Sequence, residues 1–180
     1  KVALSWYEKY GGIGSLYSPG QLISRQIPFC LDNGAFTNFN PCKFIHHIEK
    51  GCATGKPDFI VSPDTVGNSE SSLIQWKEWS GCLREFGVPI AFVIQDGQTP
   101  ESLPVDADLF FLGGSDSFRS RFFIERRNWP RLTPLHVGRI NTWAGLWRAL
   151  GTGATSCDGT GWFRKSTDHW SARDLLLFLK

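Results

Sequence analysis

Three aspartates, Asp32, Asp64 and Asp158, stand at or just beyond the ends of short β-type runs: IPFCL (27–31), DFIVS (58–62) and ATSC (154–157). One aspartate in such a place makes a turn or caps a helix. Three at equivalent places, with Gln95 and the Gly113–Gly114 pair closing two further runs, describe the floor of a pocket. Converging carboxylates suit substitution at the anomeric carbon of a sugar. One attacks to give a covalent intermediate, and another handles the proton of the leaving group. Glycines beside the last aspartate, in SCDGTGWFR (156–164), would let a flat ligand approach the backbone.

These residues need a scaffold that brings strand ends together. The runs VALSW (2–6), IPFCL, DFIVS, IAFVI (90–94), DLFFL (108–112), TPLHV (133–137) and ATSC alternate with helical patterns at 41–51, 69–87, 141–153 and 171–180. Several runs are continuously apolar, as strands buried on both faces of a parallel sheet are. The first helix opens on Pro41 and is predicted to stop at Gly51; Asn141 and Ser171 are the expected caps of the last two. Strand–helix alternation predicts an α/β fold. Each run ends on a polar, aromatic or glycine residue: Trp6, Asp32, Asp64, Gln95, Gly113–Gly114, His136–Gly138, Asp158. That series favours a small or reduced (β/α)8 TIM-type barrel over an open doubly wound sheet, because such barrels build the active site at the C-terminal ends of the strands. Seven strands are legible and an eighth is not, so the loops are expected to be short or the barrel incomplete.

The 180 residues suffice for a single domain, residues 1–180, with a sizeable core, and 41% hydrophobic and 20% charged residues fit a globular chain. No apolar run approaches the roughly 20 residues of a membrane span, and the first residues lack the apolar core of a signal peptide. The absence of Met predicts that the initiator was removed or lies outside this numbering. Five cysteines without a CxxC spacing predict a reduced, cytoplasmic setting. His46, His47 and His136 lack a spaced partner set, so no metal and no other cofactor is expected.

The net charge of +2 hides an asymmetry. Residues 1–114 carry eight Lys+Arg against twelve Asp+Glu, and residues 115–180 carry eleven against five. Arg119, Arg121, Arg126, Arg127 and Arg131 lie in RSRFFIERRNWPR (119–131). Such a segment is either a solvated helix face or a phosphate-contacting surface. In the second case Arg139, Arg164 and Lys165 join it, with Trp129 or Trp162 available to stack on a base.

Five segments, in order, resemble the motifs of tRNA-guanine transglycosylases. CLDNGAF (30–36) resembles their DSGG(F/Y)Q, FVIQDG (92–97) their VQGG, and FLGGS (111–115) their GGL. LHVGRINTWAGLWRALGTGATSCDGTG (135–161) resembles the stretch from MGVG to FDCVLPTR, and VSPDTVG (61–67) falls where the family keeps a base-recognising aspartate. The resemblance implies Asp158 as the nucleophile at C1′ and Asp32 as the general acid/base. It implies Asp64 as the acceptor of guanine N1–H and the exocyclic amine, Gln95 with the backbone of Gly113, Gly114 and Ser115 at O6, and Phe36 and Val137 as the base sandwich. His136 is expected to line this base-binding pocket. Guanine's edge offers two adjacent donors, for which a carboxylate is the matching acceptor pair.

The family's CxCxxC…H zinc motif is absent: the 22 residues after Asp158 hold one His, His169, and no Cys. Asn33, Ala35 and Thr37 also depart from the family motif. This resembles the short phage-type branch that inserts 7-deazaguanine bases such as preQ0 into DNA, in a host cytoplasm if phage-encoded. The expected partners are DNA and a free 7-deazaguanine base, with no membrane. The target nucleotide has to leave the stack to be reached. The alternatives are a tRNA-guanine transglycosylase, a base-releasing N-glycosidase, and a non-catalytic nucleic-acid-binding barrel.

Overall fold

In the computed structural model, which describes residues 5, 7–9, 11–129, 134–163 and 175, seven parallel strands form one sheet in sequence order. They are β1 (Ser15–Tyr17), β2 (Phe29–Leu31), β3 (Ile60–Val61), β4 (Ile90–Ile94), β5 (Leu109–Leu112), β6 (Leu135–Val137) and β7 (Ser156–Cys157). Between the strands run the helices α1 (Pro41–Thr54), α2 (Ser69–Arg84), α3 (Asp116–Glu125) and α4 (Trp143–Gly151), packed outside the sheet. Every residue of β4 is buried, whichever face its side chain takes, which is why IAFVI reads as an unbroken apolar run.

The sheet is curled into a half-barrel. Strands three places apart in a flat sheet lie ~14 Å apart at the usual ~4.8 Å spacing. Yet the ring of Phe59, at the start of β3, sits 5.3 Å from the ring of His136 on β6. The concave face holds a small cluster of Phe59, Val61, Ala91, Val93 and Leu109, joined by Leu16, Cys30 and Phe111. The convex face carries the larger core, where Leu31, Ile60, Phe92, Ile94 and Val137 meet Phe44, Ile48, Trp76 and Leu83 of the helices. Alternation along each strand sorts residues between the two faces.

Several local expectations are corrected. Ser5 and residues 7–9 are helical, so the run 2–6 is not a strand at Ser5; its other residues lie outside those described. The first strand is SLY (15–17), held by Ser15 N–H to the Pro28 carbonyl at 2.9 Å. Three half-buried residues between glycines carry no periodic signal. Helix α1 runs through Gly51 to Thr54. Gly51 is there for packing: a Cβ would come 2.6 Å from Leu31 Cδ1 of β2. Thr142, not Asn141, caps α4 by accepting from Gly145 N–H at 3.1 Å, and α2 ends at Arg84 rather than residue 87. The helix expected at 171–180 lies outside the described residues apart from Leu175. Among the described residues no helix is long and apolar enough to cross a membrane.

Candidate active site

Because all strands run one way, their C-terminal ends share one rim, and the curl turns that rim into a bowl. Asp32 follows β2, Asp64 lies beyond β3, Gln95 follows β4, Gly113 follows β5 and Asp158 follows β7. The aspartates sense one another: the Asp158 charge adds to the rise in Asp32's pKa, and the Asp32 charge adds to that of Asp64. In a flat sheet Asp32 and Asp158 would stand five strands apart.

Asp64 is almost fully buried, at 7% exposure, in a clamp of amides. Asn33 Nδ2 donates to Oδ1 at 2.6 Å and Gln95 Nε2 to Oδ2 at 2.5 Å. Gln95 is oriented in turn by Gly67 N–H, which donates to its Oε1 at 2.9 Å, and Asn33 by Ala35 N–H at 2.7 Å. Gly113 leaves room for this amide, since a Cβ there would come 2.9 Å from Gln95 Nε2. Burial pushes the Asp64 carboxyl up to about 6 against the pull of the two amides. Its proton is therefore bound more tightly in the folded chain than in the unfolded one. The stability this gives is fully present below about pH 4 and is lost as pH rises through about 6. A hundredfold difference in proton affinity corresponds to about 3 kcal/mol, and a loss of that order is expected across this range. Urea unfolding from pH 4 to 7 reads the slope, and Asp64→Asn removes that part of it.

Asp32 is also raised by burial, opposed by a hydrogen bond from Ser18 Oγ to Oδ2 at 2.8 Å and by the N–H groups of Asn33 and Gly34. Ser18 follows β1, so it stays invisible until that strand is recognised. Behind it, buried His47 binds the Tyr17 carbonyl through Nε2 at 2.8 Å.

Asp158 is anchored by the turn it belongs to. Its N–H donates to the Val137 carbonyl at 3.1 Å, and its carbonyl accepts from Ile140 N–H at 2.6 Å. Arg139, left-handed at φ 60°, donates its N–H to Asp158 Oδ1 at 3.1 Å. The two glycines that follow serve close backbone packing rather than ligand access. A Cβ on Gly159 would come 1.8 Å from the Ile140 carbonyl oxygen, and Gly161 N–H binds Asn141 Oδ1 at 2.7 Å. Trp162 is core, donating Nε1–H to the Ile140 carbonyl at 2.6 Å, and is not placed to stack on a base.

The other expected base contacts are redistributed. Phe36 stands at the mouth, 68% exposed, with the Arg139 guanidinium 5.2 Å over its ring. Val137 faces the helix layer with no exposed surface and cannot form the second half of a sandwich. Ser115 gives its N–H to Asp96 Oδ2 at 2.7 Å and caps α3, so that N–H is not free for a base oxygen. The Gly114 carbonyl accepts from the Arg139 guanidinium. His136 is 4% exposed, with one ring nitrogen 2.8 Å from Ser156 Oγ and the other 3.2 Å from Asp158 Oδ2. Its polar neighbours are therefore Ser156 and Asp158.

The arginines divide. Arg119 binds the Gly138 carbonyl and, at 2.6 Å, Asp116, so it ties α3 to the rim. Arg126 donates to the Thr152 carbonyl at 3.0 Å and lies over Phe122. Both are framework contacts. Arg121 and Arg127 are exposed. Trp129 packs on Phe122 at 4.9 Å. Arg131, Arg164 and Lys165 lie outside the described residues.

Among the described residues no group of three or more His, Cys, Asp or Glu is placed to hold a metal ion. The chain matches no protein-family model and no curated protein.

Proposed function

We propose that the chain is a guanine transglycosylase that exchanges guanine in DNA for a 7-deazaguanine base, on a reduced (β/α)8-type barrel with its active site at the C-terminal strand ends. The observation that carries this reading is the meeting of three aspartates from β2, β3 and β7 in one bowl, each in a different environment. Asp158, with 23% of its side chain exposed and both oxygens oriented, suits a nucleophile. Asp32, half-buried with a raised pKa, suits a proton carrier. Asp64, rigid and flanked by amides, suits recognition of a base edge.

In the first step an Asp158 oxygen forms a bond to C1′ as the C1′–N9 bond breaks. The electron pair leaves with guanine, which takes the proton of Asp32. In the second step the incoming base returns its N9 proton to Asp32 and its N9 attacks C1′, releasing the Asp158 carboxylate. No net proton is consumed. Hydrogen bonding to the base edge requires the Asp64 anion, so base affinity is expected to rise as pH climbs through about 6.

The test is incubation with guanine-containing duplex DNA, single-stranded DNA and tRNA, followed by denaturing electrophoresis. A denaturant-resistant adduct with DNA, resolved by added preQ0, supports the proposal. Adduct on tRNA alone moves the substrate to RNA. Release of guanine without uptake of a base makes the chain an N-glycosidase. No adduct and no exchange leaves a binding barrel.

The phosphate surface is tested apart from the chemistry. Among the described residues of the basic segment, Arg121 and Arg127 are the exposed cations, while Arg119 and Arg126 are tied to backbone carbonyls. Replacing both with Ala is expected to flatten the slope of log affinity against log salt by up to about 2, at ~0.9 per lost contact, for all duplex sequences alike. Free-base affinity stays the same. An unchanged slope places the DNA elsewhere.

A further inference from the structure

Asp158 is held at both oxygens, and only one of the two partners is backbone. Oδ1 takes the Arg139 N–H; Oδ2 faces His136 Nε2 at 3.2 Å. A carboxylate only accepts, so the ring nitrogen facing it carries the hydrogen. In the neutral imidazole the other ring nitrogen, Nδ1, is then an acceptor, and the Ser156 hydroxyl at 2.8 Å is its donor. The chain therefore has one polarity: Ser156 O–H to Nδ1, and Nε2–H to Asp158.

The ring has little freedom to turn. Phe111 stacks on it with centroids 4.6 Å apart and planes 29° apart, and Phe59 meets it edge-on at 5.3 Å. The ladder between β6 and β7 pairs His136 with Ser156, and Asp158 lies two residues further on the same face. One strand pair thus sets all three groups. A buried imidazole among aromatic rings needs both of its nitrogens satisfied, and the groups that satisfy them here lie on β7 and on the residue that follows it.

We propose that His136 is a positioning residue for Asp158: its Nε2–H, set by Ser156, fixes the carboxylate for attack and stabilises it as it leaves. This deepens the transglycosylase reading and rests on it. The donated hydrogen bond is strongest to the anion and weaker to the glycosyl ester. It therefore favours the carboxylate released in the second step, while its rigidity removes rotamer search before the first. The imidazole keeps its hydrogen throughout; the travelling proton is that of Asp32.

The experiment compares His136→Leu with His136→Gln, whose side-chain amide N–H reaches the same point. In ¹⁵N-labelled wild type, His136 is expected to show a protonated Nε2 and a bare Nδ1. The Asp158 carboxyl ¹³C resonance should move in His136→Leu and return in His136→Gln. Resolution of the preformed adduct by added preQ0, the step that releases the Asp158 carboxylate, should slow roughly 10- to 100-fold in His136→Leu, the worth of one hydrogen bond to a charged group. Gln should restore most of the rate, with free-base affinity unchanged in both. Ser156→Ala, which leaves the core intact, should slow the same step several-fold and covers the case in which the Leu variant does not fold. A hydrogen on Nδ1 of His136, an unmoved Asp158 resonance in every variant, or equal rates for Gln and Leu overturns the proposal. Wild type that shows the spectra but forms no adduct with any nucleic acid overturns the transglycosylase reading instead.

Discussion

Asp158→Asn is expected to abolish both the covalent adduct and base exchange, by roughly 10⁴-fold or more, because an amide has no anionic oxygen to offer C1′. The fold should survive. Asn retains an oxygen for the Arg139 N–H. Its Nδ2 would face His136 Nε2, and the imidazole accommodates this by reversing its tautomer, with Nδ1–H donating to Ser156 Oγ. Stability is expected within about 1 kcal/mol of wild type. Denaturing electrophoresis reads the adduct and urea unfolding reads the stability. A variant that exchanges bases at more than a few per cent of the wild-type rate removes Asp158 from the chemistry. A variant that is inactive only because it is unfolded is recognised by the second measurement.

Asp32→Asn is expected to slow guanine departure by roughly 10²- to 10⁴-fold, the usual contribution of a positioned general acid. Ser18 Oγ can still donate to the amide oxygen, so the loss is chemical rather than structural. The sign of the pH dependence follows from the environment. Burial raises the Asp32 pKa, so the acid form persists to higher pH than for a free aspartate, and departure of the base slows as pH rises through the folded value. Asp32→Asn loses that limb. An oligonucleotide carrying N7-methylguanine separates the two aspartates. Its base leaves without needing a proton, so Asp32→Asn should recover most of the rate and Asp158→Asn none. Equal rates for guanine and N7-methylguanine in Asp32→Asn would show that Asp32 transfers no proton.

The sequence by itself determined the class of the fold and the sites of the carboxylates. Doubly buried strands must be apolar throughout, so IAFVI is legible as a parallel strand, and the residue that ends it is legible as a rim residue. What escaped the sequence depends on contacts between distant segments. The strand at Ser15–Tyr17 exists only because β2 pairs with it, and with it came Ser18 beside Asp32. Gly51 resembles a helix stop and is a contact with Leu31; Gly159 resembles a ligand-access position and is a contact with Ile140. A glycine reads the same in sequence whether it serves conformation or proximity. The arginines in and just after α3 have one composition and two fates, since Arg119 and Arg126 meet carbonyls of the rim and of the α4 end while Arg121 and Arg127 are exposed to solvent. His136 is the clearest case. Its role follows from the register that sets it beside Ser156 and from the turn that brings Asp158 back to it, and a register is a relation between two strands that neither run of residues states alone.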